Sequence, residues 1–213
     1  MDYTDLVRDA VYSVVEGISM QGDSAALSPW AEKGFFVVEL SCKGSAAGVD
    51  EIEVSVDCDG ILDDGRLRGV GIDDCALLNR EIAERLRRVL PKTEGEGGEE
   101  EADFSLSVMS AGLGRPIKKG RQYRKLMQNA GLHGDGLPRV DVLFRDGRKL
   151  AGIVLCGVGY DNAGTEEDAP AAIEVMYEVK ELLPGKKRKT PVERRERIAL
   201  ADTKAVTEHF EFK

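Results

Sequence analysis

Hydrophobic and polar positions alternate along this chain in two distinct rhythms. Near the start, Leu6, Val7, Ala10, Val11, Val14 and Val15 recur at helical spacing and predict a helix over residues 4–16. Asp2, Asp5 and Asp9 sit toward its N-terminal end, where the helix dipole favours them. After a Gly/Ser/Pro loop the rhythm changes to period two. Residues 35–42 read as a strand apolar on both faces. Residues 51–58 set Ile52, Val54 and Val56 against Glu51, Glu53, Ser55 and Asp57. The small-residue turn at 44–48 joins them as an antiparallel pair. A second helix is expected from Asp73 or Asp74 to about Leu90, ended by Pro91. Asp73 is its expected cap, and Ile72 should staple against Leu77. Phe104, Leu106 and Val108 alternate with Ser105, Ser107 and Met109, which predicts a further strand.

The second part of the chain opens with helical spacing at Tyr123, Leu126, Met127 and Ala130, with Gly131 as the expected stop. Strands follow at 139–145, 149–156, 172–182, 192–200 and 204–212. The first two are joined by Asp146-Gly147, the strongest hairpin signal present. One helix followed by about five short antiparallel strands suggests a small barrel. The expected fold class is therefore α+β with two domains: an α-β-β-α-β domain over residues 1–114 and a small antiparallel β-barrel over 115–213. The only tryptophan, Trp30, lies in the loop at 17–34 and reads as a lid over a core edge.

Composition sharpens this picture. The chain has 213 residues, 42% hydrophobic and 32% charged, an ordinary globular balance without a membrane-length apolar run. Cys42, Cys58, Cys75 and Cys156 are widely spaced, as expected of reduced thiols. With an acidic N-terminus lacking an apolar signal core, they point to a cytoplasmic protein. The net charge of −9 hides an asymmetry. Residues 1–114 carry 10 basic and 24 acidic side chains, whereas residues 115–213 carry 20 and 15. An acidic half joined to a basic half suits local contact with a polyanion.

The basic half begins with Arg115, Lys118, Lys119, Arg121, Arg124 and Lys125, six cations in eleven positions with no acid among them. They follow a strand and a glycine turn (Gly112, Gly114), so two readings stand: a solvated helix start, or a phosphate-facing patch on rigid elements. Arg115 either meets phosphate or braces the two domains. A second basic turn, Lys186, Lys187, Arg188 and Lys189, is either a hairpin tip kept soluble by charge or a secondary contact. The acidic loop at 92–102 should lie away from any RNA.

Motifs for catalysis are missing. His133 and His209 stand in unrelated contexts, and there is no P-loop and no G-x-S-x-G. Gly157 and Gly159 lack the third glycine of a dinucleotide fingerprint. Residues 57–65 look like a calcium loop, but Arg68 stands where the closing Glu is required. No enzyme, no metal and no cofactor is the expectation.

Three stretches carry a family resemblance. Ser110-Ala111-Gly112-Leu113-Gly114-Arg115-Pro116-Ile117 resembles the S-P-G-L-x-R-P-L motif of the bacterial ribosome maturation factor RimP family, with Ala111 in place of its proline. Asp73-Asp74-Cys75 with Asn79-Arg80 is similar to its D-D-C-x-x-x-S-R segment. The tail from Ile198 through Phe212 is similar to its closing strands. The resemblance implies that the second domain is an Sm-like, SH3-type barrel. It implies a monomeric, non-enzymatic factor that binds the immature 30S small subunit, with 16S rRNA and small-subunit ribosomal proteins as partners. A general Sm-like RNA-binding module not tied to the ribosome is the alternative, and an acidic protein–protein adaptor a third reading.

Overall fold

The computed structural model describes residues 2–19, 28–45, 48–91, 93–94, 100–133, 136–160, 170–182, 184 and 188–210. In chain order the elements are α1 (Tyr3–Val15), α2 (Pro29–Glu32), β1 (Phe35–Ser45), β2 (Gly48–Cys58), α3 (Ile72–Val89), β3 (Thr93–Glu94), β4 (Glu100–Glu101), β5 (Ser105–Ser110), α4 (Gly120–His133), β6 (Arg139–Phe144), β7 (Lys149–Gly159), β8 (Ala172–Glu181), β9 (Thr190–Ala199), a 3-10 turn (Leu200–Asp202) and β10 (Thr203–Glu208). The fold is α+β, and the chain divides into two compact units, Met1–Gly112 and Leu113–Lys213. Among the described residues no helix is long and apolar enough to cross a membrane.

In the first unit β1, β2 and β5 form one sheet in that order, β1 antiparallel and β5 parallel to β2. Parallel pairing needs a crossover, and α3 supplies it. Val7, Val11 and Val15 of α1 and Leu78, Ile82 and Leu86 of α3 are fully buried with Ile52, Val54 and Val56 of β2. Fully burying each such side chain is worth about 1.5–3 kcal/mol, which explains why a valine-rich helix of modest propensity holds. β1 is apolar on both faces because each face is covered, and it carries a bulge. Val37 pairs with Val56 and Glu39 with Ser55, so Val38 is an extra residue. Phe35 and Val37 face the main core, whereas Phe36 and Val38 join Ala111 in a small second cluster.

Trp30 is buried, stands edge-on to Phe35 at 5.0 Å, and donates its indole N–H to Glu81 at 2.7 Å. It is a lid over the core, as expected. The turn after β2 crosses the start of β1 at glycine distance. A Cβ at Gly60 would lie 2.1 Å from the Lys33 carbonyl oxygen, and one at Gly34 2.4 Å from the Gly60 nitrogen. The calcium-like stretch is instead a tight hairpin, with Ile61 bridged to Leu67 and Asp64 bonded to Arg66. The start of α3 differs from expectation. Gly71 is the N-cap and donates its N–H to Asp74 at 3.0 Å, while Asp74 also holds Arg68 at 2.9 Å. Ile72 is 86% exposed and staples nothing.

The second unit has a five-stranded antiparallel sheet, β10-β6-β7-β8-β9. The hairpin at Asp146-Gly147 forms as predicted, with Gly147 at φ 88° and Arg148 N–H bonded to Asp146. Gly131 does not end α4, which runs on to His133. The expected barrel is not closed: among the described residues no ladder joins the edge strands β9 and β10. The sheet is nonetheless strongly curled. Edges of a flat five-stranded sheet lie about 19 Å apart. The link from Ala199 to Thr203 reaches at most about 14 Å even when extended, and a 3-10 turn is shorter. The curl encloses a core of Val140, Val142, Phe144, Ile153, Leu155, Ile173, Val175, Ile198 and Val206, capped by Tyr123 and Leu126 of α4.

A bulge between β6 and β7 is pinned by one carboxylate. Val140 pairs with Ile153 and Val142 with Leu150, leaving Ala151 and Gly152 opposite Asp141. Asp141 accepts from the Gly152 N–H at 2.8 Å, meets His209 Nδ1 at 2.7 Å, and pairs with Lys149 Nζ at 3.2 Å. Desolvation alone pushes the Asp141 carboxyl up. The Gly152 N–H, Lys149 and His209 together outweigh it and hold the group below the ordinary carboxylate range. Gly152 has φ 63°, and a Cβ there would sit 3.2 Å from His209 Nε2, so any other residue would be strained.

A lowered folded-state value means stability that is present above the unfolded value near pH 4 and lost as pH falls through the folded one. Asp141→Asn should therefore cost about 1.5–3 kcal/mol at neutral pH. The deficit against wild type should shrink steadily below about pH 4. Urea unfolding across that range measures it, and a deficit independent of pH would rule out the ionised carboxylate as the pin.

Candidate functional site

The six cations of the 115–125 stretch lie on three successive pieces of structure. Arg115 is exposed in the turn after β5, where Gly112 (φ 68°) and Gly114 (φ 75°) take the left-handed backbone that other residues resist. The chain is then tied down, because Ile117 N–H donates to the Val206 carbonyl of β10 at 2.8 Å. Lys118 and Lys119 sit at the mouth of α4. Both their N–H groups donate to Gln122 Oε1, at 2.9 and 3.1 Å, the reach-back half of a capping box.

Arg121, Arg124 and Lys125 follow in the first two turns. At about 100° per residue, Tyr123, Leu126 and Met127 share the face packed on the core, and the three cations fall on the outer side. All three are half-buried, with aliphatic stems along the protein, and Lys118, Arg121, Arg124 and Lys125 each also interact with neighbouring groups. Lys125 lies near Glu208 of β10. Burial raises the Glu208 carboxyl above its ordinary range, and the nearby ammonium offsets only part of that rise. Tyr123 anchors the helix with 1% exposure, and burial pushes its phenol far above the ordinary value.

Of the secondary stretch, Arg188 and Lys189 are exposed just before β9, while Lys186 and Lys187 lie outside the described residues. Residues 95–99 of the acidic loop lie outside them as well. The pairing of β3 with β4 makes its two ends a short antiparallel hairpin.

The structure also joins two stretches that the sequence shows apart. The N-terminus of α3, with Asp73, Asp74 and Cys75, packs against the C-terminal end of β5. The Cys75 thiol meets the Ser110 backbone, and Asn79 Nδ2 donates to the Leu106 carbonyl at 3.0 Å. The signal for this was the β2-α3-β5 crossover, which brings the end of a parallel strand to the start of the preceding helix. Burial first and Asp74 second push the Cys75 thiol up, so it is protonated and a poor nucleophile at neutral pH. The four cysteines form no disulfide. No cluster of three His, Cys, Asp or Glu side chains among the described residues is placed to hold a metal.

Comparison with known proteins finds relatives of part of the chain. The chain is 42% identical over 93 residues to the ribosome maturation factor RimP of Chlorobium phaeobacteroides, covering 44% of this chain and 46% of that protein. It is 38% identical over 119 residues to RimP of Chlorobium luteolum, 55% of this chain and 58% of that one. RimP of Prosthecochloris aestuarii is 32% identical over 120 residues, with the same two shares of 55% and 58%. The chain thus matches about half the length of these curated relatives. No family model matches the chain, and no solved structure matches it. The kinship with the RimP family suggested by the motifs is borne out by these relatives.

The Gln122 cap makes the mouth of α4 testable. Gln122→Ala should cost about 1 kcal/mol and speed hydrogen exchange at Lys118 and Lys119. Gln122→Glu should keep the two bonds and favour the helix dipole. Equal exchange at both amides in wild type and Gln122→Ala would show that the cap does not hold them.

Proposed function

We propose that this RimP relative is a ribosome maturation factor that binds the immature 30S subunit and assists its assembly without making or breaking a bond. The observation that carries this reading is the set of relatives named as ribosome maturation factors, joined to a chain whose basic half opens on an ordered cationic stretch. In this proposal the two compact units are domains divided near residue 114, and the curled, unclosed sheet of the second is of Sm-like type. The protein works as a cytoplasmic monomer, with 16S rRNA and small-subunit proteins as its partners. It acts by binding one conformer of the maturing subunit better than the others.

The placement of charge supports an anionic partner. Lys118, Lys119 and Arg121 crowd the positive end of the α4 dipole, where cations are unfavourable by tenths of a kcal/mol each. A phosphate at that end would be attracted by both the cations and the helix N-terminus and so offset their mutual repulsion. Arg115 supplies a planar fork suited to phosphate, and the lysines supply point charges. Arg188 and Lys189, with Lys186 and Lys187, form the secondary contact in this proposal.

The protein should co-sediment with free small subunits and be largely absent from mature ribosomes. With about four phosphates met, affinity should fall roughly 10²-fold between 50 and 200 mM salt. Reversing Lys118 and Lys119 to Glu should weaken binding and flatten that slope with Tm unchanged or slightly raised, since acids are favoured at a helix N-terminus. Equal occupancy of free subunits and mature ribosomes would contradict a maturation role. RNA binding without subunit binding would favour a general RNA-binding module. Unchanged affinity and salt slope in the double variant would remove this patch from the interface.

A further inference from the structure

Apolar side chains left in water gather in one corner of the first unit. Ile61 is 64% exposed, Ile72 86% and Leu77 47%, and Leu62 is exposed beside Ile61. None of the four belongs to the core of the unit or to the half-buried residues packed on it. Single exposed apolar residues are ordinary, but a group of them marks a contact surface.

The corner is braced. Residues 60–68 form the hairpin that follows β2, and α3 starts at Ile72. Arg68 joins the two. Its N–H donates to the Gly60 carbonyl at 2.8 Å, while its guanidinium meets Asp74 at 2.9 Å and lies over the Phe35 ring. Across the hairpin, Leu62 N–H donates to the Arg66 carbonyl at 2.8 Å. On α3, Leu78 and Ile82 turn to the core. At about 100° per residue, Ile72, Ala76 and Leu77 fall on the arc away from it, and all three are exposed. The backbone on both sides of the corner is thus fixed before any partner arrives, which lowers the ordering cost of binding.

Charge in the corner is one-sided. Residues 61–77 contain Asp63, Asp64, Asp73 and Asp74 against Arg66 and Arg68. Both arginines are taken, Arg66 by Asp64 and Arg68 by Asp74. Asp63 and Asp73 are exposed and have no ion-pair partner among the described residues. Asp73 stands next to Ile72 and one turn before Leu77. Beyond the corner Arg80 follows on the same arc, with Glu84 one turn further.

Aliphatic anchors beside spare carboxylates select among occupants. RNA and an anionic lipid surface are repelled by Asp63 and Asp73. A second copy docking by the same corner would set those carboxylates against their own kind. We propose that the corner between the 60–68 hairpin and the start of α3 docks a short basic segment of a partner protein. Its aliphatic side chains settle on Ile61, Ile72 and Leu77, and its lysines or arginines meet Asp63 and Asp73. The corner lies in the acidic unit, so this docking is independent of the RNA contact proposed at residues 115–125.

Fluorescence anisotropy of the full chain with a labelled peptide tests the corner. The peptide has about twelve residues, leucines at helical spacing and lysines elsewhere. The same peptide with glutamate for every lysine should bind at least about tenfold more weakly. Ile72→Ser with Leu77→Ser should weaken the lysine peptide at least about tenfold with Tm nearly unchanged, since neither side chain packs on the core. Ile18→Ser, at an exposed apolar residue of the same unit outside the corner, should change nothing. Asp63→Asn with Asp73→Asn should weaken binding several-fold and flatten its fall between about 50 and 200 mM salt. Equal affinity for the two peptides, full affinity in the Ile72/Leu77 variant, or an unchanged salt slope in the Asp63/Asp73 variant would overturn the proposal. Sedimentation showing a wild-type dimer that the Ile72/Leu77 variant loses would give the corner to a second copy and overturn it too.

Discussion

The sheet of the second unit has β9 and β10 at opposite edges, yet only Leu200–Asp202 stand between them. So short a link cannot cross a flat five-stranded sheet, and the strands must curl until the edges approach. Much of the unit follows from that. The curl turns alternate residues of every strand inward and buries Val142, Leu155, Ile173 and Val206 without a second sheet to cover them. It bends β7 at the Gly152 bulge, which Asp141 and His209 hold, and so parts β7 from β8. It also sets where β10 runs, and β10 carries the Val206 carbonyl that receives Ile117. The mouth of α4, with Lys118 and Lys119, is therefore positioned by the same three-residue connection.

Charge follows the division into units. Met1–Gly112 holds 10 basic against 24 acidic side chains, and the excess of cations begins at Arg115. At physiological salt, fields fade beyond about 8 Å. The net −9 of the whole chain is therefore no guide to what the α4 mouth attracts. In the proposed reading a polyanion meets the local cations, and the acidic unit is better suited to excluding RNA from other surfaces than to binding it.

Local pattern was legible in the sequence wherever local physics decides. The valine stripe of α1, the buried faces of β2 and α3, the Asp146-Gly147 hairpin and the lid role of Trp30 all follow from spacing and residue type. What escaped is non-local. An apolar strand on both faces suggested burial, but the bulge at Val38, which returns Leu40 and Cys42 to the face of Phe35 and Val37, depends on register with β2. Gly131 looked like a stop, but α4 runs two residues beyond it. Asp73 looked like the cap of α3; the N-cap is instead Gly71, and Asp74, which also holds Arg68, takes the Gly71 N–H. At the candidate site the cations were visible in order. Their setting was not: the Gln122 cap depends on where α4 starts, and the approach of Lys125 to Glu208 crosses about eighty residues of chain. Barrel closure depends on edge pairing, which no strand's own pattern contains.

The central claim is that the chain meets ribosomal RNA through the mouth of α4 and not through its acidic unit. Ultraviolet crosslinking of the chain to immature small subunits, read by mass spectrometry, tests it most directly. RNA adducts should concentrate within residues 115–125, with weaker ones at 186–189, and should be absent from the acidic stretch at 92–102. Adducts concentrated on the first unit, for example on the exposed face of α3 at Arg80, Arg87 and Arg88, would contradict the account.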